Sequence, residues 1–321
     1  MSGSQKKLSN SFSTGGGGSH FEAHVQASFV VLMLTGGYAP ALPSWPIVEI
    51  KLQGKIDGFD TDDLIVYVEN PDSKRRSKLL GQVKHSIGFT IGNKILPEVI
   101  QASWDDFQNS EVFTKKRDII ALITGPLTET DFKNVSWLLD QARYTKDVTE
   151  FLRNVSRSKF SPSKATEKLD AFRYHLKNAN NDVDLTNDEL YEFLNHFYLL
   201  GYDLGKEGGV VLSLLHSHIS QFNSSYPKWA WSRVVDIVQT WNQNAGTIVI
   251  DKLPDDIKDV FVQEAVASIP EDFVVPKTPA TKGSLGGHVS ANAIAFANLF
   301  GSWDENNEAD LEIIGGIISG D

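Results

Sequence analysis

From Ser19 onward the apolar residues recur with readable periods. Phe21, Val25, Phe29 and Leu32 follow helical spacing until Gly36-Gly37 stops the run. Residues 47–55 then alternate as a strand, 64–68 form a compact β-branched and aromatic run, and 78–85 alternate again. Helical spacing returns within 94–109 at Ile95, Val99, Ala102 and Phe107. The run DIIALIT (118–124) reads as a buried strand closed by Gly125-Pro126, and a helix over 131–143 carries Phe132, Val135, Leu138 and Leu139. Residues 19–125 thus read α-β-β-β-α-β, an α/β sandwich.

Beyond about Thr145 strand signals nearly vanish and helical ones dominate. Thr186 and Glu189 form a capping box before Leu190, Phe193, Leu194 and Phe197. Further amphipathic segments cover 162–179, 206–222, 228–242 and 256–268. A Pro- and Gly-rich loop at 270–287 precedes two short helices at 290–300 and 306–318. The polar, Ser- and Gly-rich residues 1–18 read as a disordered arm. Three regions are therefore expected: the arm 1–18, an α/β domain 19–145 and a helical domain 146–321.

Composition narrows the setting. The 321 residues include no cysteine, which excludes disulfides, Cys-ligated zinc and a cysteine nucleophile, and points to a reducing, cytoplasmic location. The longest apolar stretch near the start, 27–34, is too short to span a bilayer. A net charge of -11 argues against tight, charge-driven nucleic-acid binding.

Candidate chemistry gathers on the second and third strands. In LLGQVKHS, Gln82 and Lys84 are two apart and share one face, with Val83 on the other. If those strands pair as a hairpin, Asp63, at the mouth of the preceding strand, lies opposite them. Asp60 and Asp62 remain alternatives within GFDTDD. A lysine in an apolar strand calls for a carboxylate partner. With Glu22 on the first helix, the set Glu22, Asp63, Gln82 and Lys84 suits hydrolysis of a phosphodiester. Glu22, Asp63 and Gln82 would hold Mg²⁺ (or Mn²⁺), and Lys84 would orient the metal-bound water or stabilise charge growing on phosphorus.

These residues, with GGGGSHFEAHVQASF, DDLIVYV, GQVKHS and KKRDIIALITGPLT, resemble the PD-(D/E)-x-K superfamily in its Gln-x-Lys variant. More closely, they look like the nuclease domain of bacterial antiphage effectors, found at the N-terminus of STAND NTPases and in cyclic-oligonucleotide immune systems. The resemblance covers about residues 15–145, and 146–321 looks like the linker region that follows in the STAND proteins. It implies a restriction-endonuclease-like core followed by an all-helical region. It also implies Glu22, Asp63, Gln82 and Lys84 as catalytic residues, double-stranded DNA as substrate and a homo-oligomer. No Walker motif occurs in these residues, so the chain reads either as part of a longer STAND protein or as a stand-alone relative, with a STAND ATPase or sensor region or a partner protein as a candidate associate. The competing expectation is a nuclease-like fold that no longer cuts and serves as an interaction module. RNA cleavage would need the same site.

Basic residues cluster at Lys74, Arg75, Arg76 and Lys78 in the turn between the second and third strands, and at 115–117 before the fourth. These hairpin-tip cations are expected beside the site and, with His85 at the rim, are candidates for gripping a DNA backbone; for each cluster a solvated turn is the plainer alternative. His20 and His24 lie one turn apart on the first helix, and His216-x-His218 does not share a helical face. Trp231, Val234, Val235, Val238 and Trp241 fall on one face and read as core, with Trp229 off that stripe.

Overall fold

A computed structural model describes residues 17–157, 159–204, 208–222 and 226–261. The chain divides into two units, Met1–Gln263 and Glu264–Asp321. The second unit, and with it the expected loop at 270–287 and helices at 290–300 and 306–318, lies outside the described residues, as does the arm up to residue 16.

The described unit is a mixed α/β fold. In chain order, α1 (Gly17–Leu34) leads into β1 (Ile47–Leu52), β2 (Leu64–Glu69), β3 (Arg76–Lys84), α2 (Leu96–Gln108) and β4 (Ile119–Thr124). There follow α3 (Glu129–Tyr144), α4 (Val148–Ser156), α5 (Ala165–Ala179), α6 (Asn187–His196) and β5 (Phe197–Gly201). The last elements are α7 (Val210–Ser220), α8 (Pro227–Gln243), β6 (Thr247–Ile248) and α9 (Asp255–Lys258). The six strands lie in the order β5-β4-β3-β2-β1-β6. β1, β2 and β3 form an antiparallel meander flanked by antiparallel β6, whereas β4 and β5 run parallel to β3.

Period-2 alternation sorts the strand residues onto two cores. Leu64, Val66, Leu79, Ala121 and Ile123 pack with α1, α7 and α8 on one face. Ile65, Leu80, Ile120 and Leu122 pack with α2 to α6 on the other. Every residue of β4 is buried, as befits a parallel strand covered on both sides.

The region 146–321 is expected from its sequence to be all-helical, and it is not. β5 and β6 come from it and complete the two edges of the sheet. The capping box at Thr186 and Glu189 is present, but α6 ends at His196 and Phe197 begins β5 rather than closing the helical stripe. An apolar run without alternation reads alike for a buried strand and a buried helix. α4 is a further helix that the spacing does not bring out. Phe132, placed on the apolar stripe of α3, is exposed. Trp231, Val234, Val235 and Val238 are core as expected, and Trp229 is exposed. Among the described residues no helix is long and apolar enough to cross a membrane.

Candidate functional site

The β2–β3 register sets the centre of the site. Leu64 pairs with Gly81 across the antiparallel ladder, so Asp63, one residue earlier, falls opposite Gln82. Asp63 Oδ2 accepts from Gln82 Nε2 at 2.5 Å and from the Val83 backbone N–H at 2.7 Å, and Lys84 Nζ stands 3.6 Å away. Asp63 and Gln82 are buried, and Lys84 is half-buried. Val83 packs into the core beneath α1, on the face opposite Gln82 and Lys84.

The segment entering β2 is held by its backbone. Buried Asp106 of α2 accepts the N–H groups of Asp60 and Thr61, and the Asp62 carbonyl accepts from Gly54 N. Of the three acids in GFDTDD, Asp63 is thereby the one whose carboxylate meets Gln82 and Lys84.

Glu22 reaches the same place from α1 through a set of carboxamides. Its Oε1 accepts from Gln53 Nε2 at 2.9 Å, from Gln26 Nε2 at 3.1 Å and from Asn242 Nδ2 at 3.1 Å. Asn242 Oδ1 in turn accepts from Gln53 and Gln26, and Gln26 Nε2 also donates to the Asp63 carbonyl at 2.8 Å. The Gln26 amide therefore ties both acidic residues together. Gln53 can present its amide there because it takes a left-handed backbone, φ 51°, at the end of β1.

Burial pushes the Glu22 carboxyl above its ordinary range, the neighbouring Asp63 pushes it further, and the Asn242 and Gln26 amides and Lys84 partly oppose this. Burial likewise raises Asp63, against the lowering pull of Lys84 and the Val83 N–H. Two dehydrated carboxylates thus face one ammonium, and added positive charge would favour ionising both.

The donor set fits a hard divalent cation. The bonds above end on Glu22 Oε1 and Asp63 Oδ2, leaving the second oxygen of each for a ligand, and Gln82 offers Oε1 once Nε2 is turned to Asp63. Gln26 Oε1 is a buried oxygen with no partner among the described residues. Among those residues no three or more His, Cys, Asp and Glu side chains are placed to hold a metal ion together, so a cation here would draw on amide oxygens and water as well as carboxylates.

The other sequence candidates are placed elsewhere. The β2–β3 turn bearing Lys74, Arg75 and Arg76 is at the opposite end of the hairpin from Lys84. β3 is nine residues long, so turn and site are about 26 Å apart. These cations therefore do not sit beside the site as the sequence suggested, because Lys84 closes β3 where Arg76 opens it. Lys74 and Arg76 pair with Glu69, Arg76 also with Glu49, and Arg75 lies over Trp45. Lys78 is bound to buried Asp118 at 3.1 Å. Lys115 pairs with Glu192 and Arg117 with Asp118 before β4, at that same end. His85 does border the site, exposed and edge-on to Phe21. His24 bonds His20 and stacks on Trp231, its pKa lowered to about 4 by burial.

Sequence reasoning missed Gln53, Asn242 and Asp106. The first two also line an open groove of about 1040 Å³ between the start of α1 and the end of α8. No family model, curated protein or solved structure matches the chain.

Proposed function

We propose that this chain is a Mg²⁺- or Mn²⁺-dependent nuclease that hydrolyses phosphodiester bonds in double-stranded DNA, acting as an antiphage effector with a Gln-x-Lys site of the PD-(D/E)-x-K kind. The observation that carries it is the convergence of Gln82, Val83 N and Lys84 on Asp63, joined to Glu22 through Gln26. The order α1-β1-β2-β3-α2-β4, with β4 parallel to β3, supports a restriction-endonuclease-like core.

The side chains divide the work. Glu22, Asp63 and Gln82 would hold the ion, which when bound supplies Lewis acidity and a water of lowered pKa. Val83 N–H and Gln82 Nε2 fix one oxygen of Asp63, so the other keeps its direction. The Lys84 ammonium, half-buried in surroundings of reduced dielectric, stabilises negative charge as it builds on the phosphoryl oxygens. With one such site among the described residues, cutting both strands would take two protomers. A STAND ATPase or sensor region, or a partner protein, would provide the trigger.

The test is plasmid DNA with purified protein and Mg²⁺, run beside Lys84→Ala and an EDTA control. Lys84→Ala is expected to lower the cleavage rate about 10²- to 10³-fold. Equal cleavage by wild type and variant, or cleavage that persists in EDTA, would remove this reading.

A further inference from the structure

The groove that Gln53 and Asn242 share with the site has an unusual lining for a nucleic-acid surface. On α8, Gln239 and Gln243 are one helical turn apart and flank Asn242 on the same face, and Asn244 follows at the helix end. Facing them are His20 of α1 and Ile56, which is 79 % exposed. Among the described residues the lining includes no Lys, Arg, Asp or Glu.

Such a wall is poorly suited to phosphate, which rewards cations. It suits a flat, neutral ring edge that both donates and accepts hydrogen bonds. Carboxamides present a donor and an acceptor side by side, the pattern that pairs with a base edge, and an exposed aliphatic and an imidazole can cover a ring face.

We infer that this groove is a nucleobase-binding subsite that takes an unstacked base of the strand whose phosphate lies at Lys84 and Asp63. The inference rests on the phosphodiesterase reading and names its substrate more closely: a strand that is single or locally unpaired beside the cut. It also accounts for a chain of net charge -11 engaging nucleic acid, because recognition here is by ring edge and not by phosphate. A base in the groove would sit against Gln53 and Asn242, the amides that hold Glu22, which couples occupancy of the subsite to placement of the acid. Extruding a base from a duplex breaks its stacking and pairing, so strands that are already unpaired are favoured.

The probe is a fluorescently labelled single-stranded 12-mer, bound in Mg²⁺ to full-length protein carrying Lys84→Ala so that it is not cut. A matched series moves one abasic nucleotide along the strand. Expected is one position at which loss of the base weakens binding about tenfold. That discrimination should vanish when Gln239→Ala and Gln243→Ala, both at exposed positions, are added. Equal binding of all abasic strands, or discrimination that survives the two glutamine changes, overturns the subsite while leaving plasmid cleavage by wild type intact. If wild type neither cuts plasmid nor binds any strand, the nuclease reading fails and the subsite with it.

Discussion

Asn242 Nδ2 donates to Glu22 Oε1 at 3.1 Å, a bond between residues 220 positions apart in the chain. One lies near the start of α1 and the other near the end of α8, and these two helices pack together on one face of the sheet. The stretch after residue 145 therefore supplies part of the site as well as two strands of the sheet. The bond orients Glu22 and offsets part of the burial penalty on its charge. Asn242→Ala is accordingly expected to weaken Mn²⁺ binding, measured by calorimetry, about 10- to 100-fold. In a Glu22→Ala background the same change should have no further effect, because Asn242 acts through that carboxylate. An equal loss in both backgrounds would mean that Asn242 supports only the fold.

The raised pKa values give a dependence on pH with a definite sign. A carboxyl whose pKa is higher folded than unfolded binds more protons in the folded state between the two values. Stability contributed by that group is therefore lost as pH rises through this window. Asp63 is such a group, with burial as the largest cause. Metal-free Asp63→Asn should be more stable than wild type at neutral pH, and the advantage should shrink as pH falls through the folded value toward about 3.9. Thermal melting of both proteins in EDTA from about pH 3.5 to 7.5 measures it; a difference that grows toward acid refutes the assignment. Added Mg²⁺ should narrow the gap at neutral pH, since the ion stabilises only a folded state that carries the carboxylate.

The parts of this arrangement legible in the sequence are those governed by strand period. Gln82 and Lys84 share a face because they are two apart, and Asp63 meets them because the hairpin register places it opposite Gln82. The long-range parts were not legible. Gln53 depends on a left-handed residue after β1, and Asn242 on how α8 packs against α1, neither of which has a local signature. β5 was hidden for a related reason: FYLLG follows a well-capped helix and is apolar throughout, so nothing in its period distinguishes it. The basic clusters misled because adjacency in the sequence to β3 is not adjacency to its far end.

A buried ion pair secures the loop that leaves the site. Lys168 of α5 is 3 % exposed, with Nζ 2.6 Å from Asp131 of α3 and donating to the Phe89 carbonyl at 2.9 Å; His175 lies against the Thr90 carbonyl. Residues 85–95, which follow Lys84 directly, are tied down by these bonds. Lys168→Met leaves Asp131 buried and unpaired and should destabilise the protein by about 3–5 kcal/mol in urea unfolding. Lys168→Met combined with Asp131→Leu should recover most of that loss, because two apolar groups leave no charge unpaired. If the double variant is no more stable than the single, the pair is not what that loss reports.

Gly125 sets how closely the end of β4 can approach the end of β3. Lys84 pairs in register with Thr124, and a Cβ added at Gly125 would fall well inside contact distance of the His85 carbonyl oxygen. That oxygen belongs to backbone and cannot swing aside like a side chain, so the strain must move the residue that follows Lys84. Gly125→Ala is expected to destabilise the fold by about 1–3 kcal/mol. It should also lower cleavage more than Mn²⁺ affinity, because it displaces Lys84 and leaves Glu22 on α1 untouched. Cleavage kinetics beside calorimetry on one preparation separate the two effects, and a Gly125→Ala variant with wild-type stability and rate would show that the strand ends have room to part.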